Sequence, residues 1–203
     1  GSGSGKTTVA ENLVKHIGDD NILLIKQDYY YKDNSHLNLE ERSQLNYDCP
    51  DAFDTELLVE QIKELVKGNS IQQPRYDFTL HNRKEERMTV ESQQIILLEG
   101  ILVLHDPELR DLMDMKIFVD ADSDIRLLRR VLRDTKTRGR SLDSIADQYL
   151  ETVRPMYEKY IRPTKKYADI IVPRGGYNKV AIDILVTRIK RYIRELEENV
   201  IGV

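Results

Sequence analysis

The sequence predicts an α/β fold: a five-stranded parallel sheet with helices on both faces. Three observations predict it. Four short apolar runs are rich in branched side chains, amphipathic helical patterns separate them, and a glycine-rich turn runs straight into a helix. Continuous apolar runs suit strands covered on both faces, and strands that alternate with helices are how a parallel sheet is connected.

The glycine-rich turn comes first. Gly1-Ser2-Gly3-Ser4-Gly5-Lys6-Thr7-Thr8 is most of G-x-x-x-x-G-K-[ST]. Its opening glycine, and the strand expected ahead of it as the fifth of the sheet, fall outside the 203 residues. The glycines let backbone N–H groups turn inward around phosphate oxygens, Lys6 reaches outer phosphates as a point charge, and the Thr7 hydroxyl suits Mg²⁺. Such a glycine-serine run also suits a plain linker. Lys6-Thr7-Thr8 ahead of a helix over 8–17, with Val9, Leu13 and Ile17 on one face, favours the phosphate loop.

Strands are predicted over 21–26, 94–98, 115–119 and 169–172. Helices are predicted over 55–66 (Leu58, Ile62, Leu65), 123–133 (Ile125, Leu128, Leu132), 141–160 and 182–196 (Ile182, Leu185, Ile189, Ile193, Leu196). Segment 71–90 breaks this rhythm. It is polar but strand-forming, with a turn near 80–83, and reads as a β-hairpin inserted at the edge of a single domain spanning 1–203.

Bulk composition narrows the classes. A net charge of −4 argues against a nucleic-acid binder, and no run of eighteen apolar residues suggests a membrane span. Cys49 is the one cysteine, so no internal disulfide forms, which suits a reducing cytoplasm. No signal peptide is evident.

Candidate chemistry gathers at strand ends. Asp28 follows the first apolar run, where a carboxylate can face the phosphate loop and accept a proton. Glu99 closes the second run, a position from which an acid can hold Mg²⁺ or its waters. Asp48 lies in an acid-rich, proline-containing stretch and is placed near a polar ligand, whereas Asp54 reads as the N-cap of a helix. Arg126, Arg129, Arg130 and Arg133 recur at helical spacing, followed by Lys136, Arg138 and Arg140 around Gly139. They form either a solvated helix face or, with a phosphate loop nearby, a lid over 126–141 that neutralises a transferring phosphoryl group. Tyr76 and Phe78 alternate along the hairpin and share a face. With His81 they either stack on a flat base or cover the hairpin's inner side.

Taken together, the stretches GSGSGKTT (1–8), QDYYY (27–31), NYDCPDAFD (46–54), YDFTLHNRKEE (76–86), LLEGIL (97–102), RRVLRDTKTRGR (129–140) and PTKKYADIIVPRGG (163–176) resemble the uridine-cytidine kinase family of P-loop proteins. The resemblance runs from Gly1 to about Arg194. It implies a P-loop kinase fold and transfer of the γ-phosphate of ATP or GTP, with Mg²⁺, to uridine or cytidine. It further implies Asp28 as catalytic base, Asp48 on the ribose hydroxyls, and Tyr76, His81 and Phe78 around the base. Arg130 and Gln148 become nucleoside contacts, Arg133, Arg138 and Arg140 the lid, and Gly1 to Thr8 the nucleotide cradle. Thr7 and Glu99 lie at the metal. The family resemblance also implies a homotetramer and inhibition by CTP or UTP. Kinases of the phosphoribulokinase or pantothenate kinase type are the nearest alternative. A GTPase switch is disfavoured, because neither Asp-x-x-Gly after a strand nor Asn-Lys-x-Asp is present.

Overall fold

The computed structural model describes residues 1–18, 20–137 and 139–201. In chain order its elements are helix α1 (Lys6–Ile17), strand β1 (Ile22–Lys26), α2 (Leu39–Ser43), α3 (Thr55–Val66), the strands β2 (Ile71–Asp77), β3 (Asn82–Val90) and β4 (Ile95–Glu99), then α4 (Pro107–Asp111) and β5 (Ile117–Asp120). There follow α5 (Ser123–Thr137), α6 (Leu142–Gln148), α7 (Arg154–Met156), β6 (Ile170–Pro173) and α8 (Lys179–Ile201). Among the described residues no helix is long and apolar enough to cross a membrane.

The parallel strands occur as two pairs, β1 with β4 and β5 with β6. Side-chain alternation explains how helices cover both faces. Ile95 and Leu97 of β4 pack with α1 and α8, around Val9, Leu13, Ile182 and Leu185, and Ile117, Val119, Ile170 and Val172 join the same cluster. The intervening Ile96 and Leu98 point the other way, toward Leu58, Ile62 and Leu65 of α3. Successive side chains of a strand face opposite sides, so a continuous apolar run serves two helical layers at once. The predicted strands and the helix over 55–66 therefore appear with shifts of a residue or two at their ends.

One helical reading needs correction. The segment predicted as one helix over 141–160 is broken into α6, a π turn at Tyr149–Val153, the short α7, a second π turn at Tyr157–Ile161 and a 3₁₀ segment at Arg162–Tyr167. Pro155 lacks an N–H and its ring crowds the preceding turn, and widened turns accommodate it. Helix α5 forms over the predicted 123–133 and continues to Thr137. Its periodic apolar residues do not face the core: Ile125, Leu128 and Leu132 are exposed, while Arg126, Arg130 and Asp134 are buried.

The hairpin is present. Strands β2 and β3 are antiparallel, with Ile71 opposite Val90 and Tyr76 opposite Arg83, and a register irregularity between Pro74 and Tyr76. Arg83 anchors it. Its guanidinium donates to the carbonyls of Tyr31 (2.6 Å) and Tyr30 (3.2 Å) and pairs with Asp54 (3.0 Å). Asp54 also caps α3 by accepting from the Leu57 N–H, as the sequence predicts.

Parallel pairing in register sets Lys26 beside Glu99 and Asp120 beside Pro173, so the carboxyl ends within each pair lie side by side. Gly100, just beyond β4, is held against Gln27. The Gln27 side chain accepts from the Leu102 N–H at 3.0 Å, and a Cβ on Gly100 would come within 2.3 Å of that same oxygen. Gly100→Ala is therefore expected to displace Gln27 and destabilise the protein by about 1–3 kcal/mol, the usual cost of overpacking. Denaturant unfolding checks this.

Candidate active site

The site is built at those carboxyl ends, starting with the loop ahead of α1. Gly3 sits at φ 77°, and a Cβ there would lie 2.3 Å from the Arg126 carbonyl oxygen, so the loop and α5 close on each other only through glycine. Gly5 is the N-cap of α1 at φ 93° with no capping side chain, and no acid lies in the helix's first turn. The helix N-terminus thus keeps its partial positive charge and free donors for an anion. The Ser4 hydroxyl is buried beneath the loop without a hydrogen-bond partner among the described residues.

Glu99 gathers the loop's functional side chains. Its Oε1 lies 3.1 Å from Lys6 Nζ and accepts from Thr7 Oγ1, also at 3.1 Å. Two protein oxygens side by side, next to a phosphate-binding loop, suit Mg²⁺, which takes one or two protein ligands plus phosphate and water. The residues therefore fit the ion and the nucleotide that the sequence implies. Asp28 lies in a 3₁₀ turn, Gln27–Tyr30, immediately after β1, whose last residue pairs with Glu99.

Asp48 connects two halves of the site. Burial raises the pKa of its carboxyl, and the positive charges of Arg130, Lys6 and Arg133 partly oppose that rise. The same interactions place Asp48 within electrostatic reach of both the phosphate loop and α5. Its neighbour Tyr47 stacks on His81 with ring centres 5.6 Å apart. Around them lies an aromatic cluster. Tyr31 stacks on Phe53 at 4.3 Å and touches Tyr76 and Tyr47, and Tyr76 meets Phe78 edge-on at 5.2 Å. Burial also raises the pKa of Tyr76, and the neighbouring Tyr47 hydroxyl raises it further. His81 occupies the hairpin turn at φ 49°, and Phe78, just past the end of β2, is half exposed.

The arginines face inward. Arg130 donates to Ser2 Oγ (2.9 Å) and Gln148 Oε1 (2.6 Å), and Arg140 donates to the same Gln148 oxygen and to Ser144 Oγ. Arg129 reaches the Ser4 carbonyl at 3.3 Å, and Arg126 covers the Tyr157 ring at 3.6 Å. The solvated-face alternative for these residues does not hold at Arg126 and Arg130. Arg138 lies outside the described residues.

Sequence reasoning missed Asp134. It is fully buried and lies 2.8 Å from Arg133 and 3.5 Å from Arg130, and its carbonyl accepts from the Arg140 N–H. Its position four residues after Arg130 is the helical spacing of an ion pair and was the available signal. Tyr31, Tyr47 and Phe53 were also missed as cluster members. Their contacts join segments far apart in sequence, and no local pattern announces them.

These charges carry three stability predictions. Asp134→Ala leaves Arg130 buried without its counter-ion and is expected to cost about 3–5 kcal/mol. Arg133→Ala, at a side chain 39% exposed, is expected to cost about 1 kcal/mol or less in the same unfolding experiment. Asp48 has the opposite sign. Because its folded pKa stands above 3.8, the folded state holds the proton more tightly than the unfolded state. Stability therefore falls as pH rises from 3.8 through the folded value, and the penalty persists at neutral pH. Asp48→Asn is expected to raise the stability of the ligand-free protein at pH 7 and to flatten that descent, read from urea midpoints across pH.

Comparison with known proteins agrees with this geometry. Residues 1–181 match the family model "Phosphoribulokinase / Uridine kinase family". The chain is 58% identical over 195 residues to a uridine kinase of Clostridium novyi (strain NT), covering 96% of this chain and 94% of that one. It is 55% identical over 197 residues to a uridine kinase of Clostridium tetani (strain Massachusetts / E88), covering 97% and 94%. Among solved structures, phosphoribulokinase from Rhodobacter spheroides superposes with a TM-score of 0.61 at 16% identity, over 81% of this chain and 64% of that one, a likeness of fold. With a glycine loop, a lysine–glutamate pair at its mouth and arginines turned toward it, this chain belongs to the phosphoribulokinase/uridine kinase family.

Proposed function

We propose that the protein is a uridine/cytidine kinase of pyrimidine salvage. It transfers the γ-phosphoryl group of ATP or GTP to the 5′-hydroxyl of uridine or cytidine, giving UMP or CMP. The observation that carries this reading is the adjacent pair Tyr47–Asp48. Tyr47 stacks on the hairpin's His81, while Asp48 lies in the field of Lys6, Arg130 and Arg133. A ligand with a flat ring, a hydroxylated linker and one end at the phosphate loop spans these features, and a nucleoside has that shape. Uridine kinases that are more than half identical to this chain support the same reading.

In this reading Tyr76 and His81 hydrogen-bond the pyrimidine, Phe78 packs beside it, and Asp48 takes the ribose hydroxyls. Arg130, Arg140 and Gln148 complete the nucleoside side. A buried tyrosine hydroxyl beside the Tyr47 hydroxyl offers both donor and acceptor character to a base carbonyl or amino group. Asp28 accepts the 5′-hydroxyl proton as the oxygen attacks the γ-phosphorus and the bond to the departing nucleoside diphosphate breaks. Residues Gly1 to Thr8 cradle the donor's phosphates, and Lys6 passes from Glu99 to phosphate oxygens as they arrive. Thr7 and Glu99 would hold Mg²⁺, which would supply neutralisation of phosphate charge. Arg133 and Arg138 stabilise charge on the group in flight. The proposal extends to a cytoplasmic homotetramer restrained by CTP or UTP.

A coupled assay for nucleoside diphosphate release tests it. Uridine and cytidine should drive turnover, while adenosine, ribulose 5-phosphate and pantothenate should not. Turnover with ribulose 5-phosphate or pantothenate would shift the assignment to another branch of the family. Asp28→Asn keeps shape but loses basicity, so kcat should fall by about 10²–10⁴-fold. Uridine binding measured by calorimetry should change far less. His81→Ala removes a polar partner of the base and should weaken uridine binding by about 1–3 kcal/mol, visible as a raised KM.

A further inference from the structure

A cavity of about 160 Å³ lies between the turn after β1, the start of α3 and the segment that leads into α4. None of the residues placed at nucleoside, nucleotide or Mg²⁺ lines it. Buried Phe53, Leu102 and Leu109 give it apolar walls, and Gln27, only 2% exposed, gives it a deeply buried amide. His105 and Asp106, both half-buried, line it as well. About 150 Å³ is room enough for benzene, so the cavity has space for one six-membered ring.

The polar groups say what kind of ring. Gln27 Oε1 accepts from the Leu102 N–H at 3.0 Å. Among the described residues that is the one hydrogen bond of the Gln27 side chain, so the amide's orientation is fixed and its NH₂ remains to donate. A buried donor of this kind calls for an acceptor. Asp106 accepts from the Leu109 N–H at 3.0 Å with one oxygen, and its other oxygen can take a donor. The same carboxylate disfavours an anion in so confined a space. A neutral ring with a carbonyl beside an N–H meets both demands, and Phe53 offers it an aromatic partner.

We infer that this cavity is an effector site for a small neutral lactam, a six-membered ring of the 2-pyridone type, and that filling it tightens the acceptor side. Two contacts carry the effect. Gln27 opens the 3₁₀ turn that holds Asp28. Phe53 stacks on Tyr31 at 4.3 Å and pairs with it through an isolated backbone bridge, and Tyr31 in turn touches Tyr47 and Tyr76. A ring packed on Phe53 and bonded to Gln27 removes the empty space beside both contacts. The site itself stands apart from the proposed function, and only its effect on uridine rests on that reading.

Calorimetry and saturation-transfer NMR with 2-pyridone test this on the whole protein, with saturating uridine present and circular dichroism as the check on folding. 2-Pyridone should bind alongside uridine, and in the coupled assay it should lower the KM for uridine severalfold while leaving the KM for ATP unchanged. Thr55→Leu fills the cavity from the first turn of α3 and should abolish both effects with basal turnover intact. Gln27→Met keeps the side chain's length without its NH₂ and should weaken 2-pyridone binding about tenfold. Benzene should bind less tightly than 2-pyridone. No binding to the wild type, displacement by uridine, or binding unchanged in the folded variants would overturn the site. Benzene binding as tight as that of 2-pyridone would overturn the lactam assignment. Binding without any change in uridine kinetics, on an enzyme that turns uridine over, would overturn the effector role. Failure to phosphorylate uridine at all would count against the proposed function instead, and the binding results would still decide the site.

Discussion

Everything in the site depends on one carboxylate. Glu99 ends β4, and the parallel register with β1 fixes its height at Lys26. From there a single oxygen contacts both Lys6 and Thr7, the last residues of the glycine loop and the first of α1. The sheet, the loop and the helix are thus tied at the point where phosphate is to be bound. Gly100 lets the chain leave β4 tightly against Gln27, which in turn holds the Leu102 N–H. A displacement of β4 along its axis would carry Glu99 away from both partners, so sheet register and site geometry are one constraint.

A second tie locates the acceptor side. The hairpin hangs from the domain by Arg83, whose three contacts reach Tyr30, Tyr31 and Asp54. Asn82 adds two more, accepting from the Asn34 N–H and donating to Ser35 Oγ. Tyr30 belongs to the same short 3₁₀ turn as Asp28. The aromatic face of the hairpin and the carboxylate proposed as base are therefore referenced to one stretch of backbone, a few residues long. Orientation of this kind is where rate is gained in a transfer between two bound molecules.

The legible parts of the sequence were those with local patterns. The loop motif, the buried strands, α1, α3 and the hairpin follow from spacing or turn chemistry. Asp54 was legible as a cap because capping is a local matter. Helix α5 was legible as a helix, but periodicity reports that one face is apolar without saying which side faces inward. Burial of its charged face depends on the glycine loop behind it, over 120 residues away in sequence. Tyr31, Tyr47 and Phe53 were silent for the same reason, since the cluster exists only after the hairpin folds over the segment that carries them.

The buried arginines raise a question of charge that the fold answers with Asp134. Removing a guanidinium from water is costly unless a counter-ion travels with it. Asp134 fills that role for Arg130 and contacts Arg133 as well, while its backbone holds the turn that leads to Arg140. The arginines are then aligned before any phosphate arrives, which lowers the ordering cost of recruiting them. The positive charge of Arg130 and Arg133 is also felt beyond Asp134. Asp48 sits in that same field, with a carboxyl whose pKa burial raises even so. Burial of that carboxyl is a cost the ligand-free protein carries. In the proposed function a bound ligand would relieve that cost, by bringing donors to Asp48 and phosphate to the arginines at once.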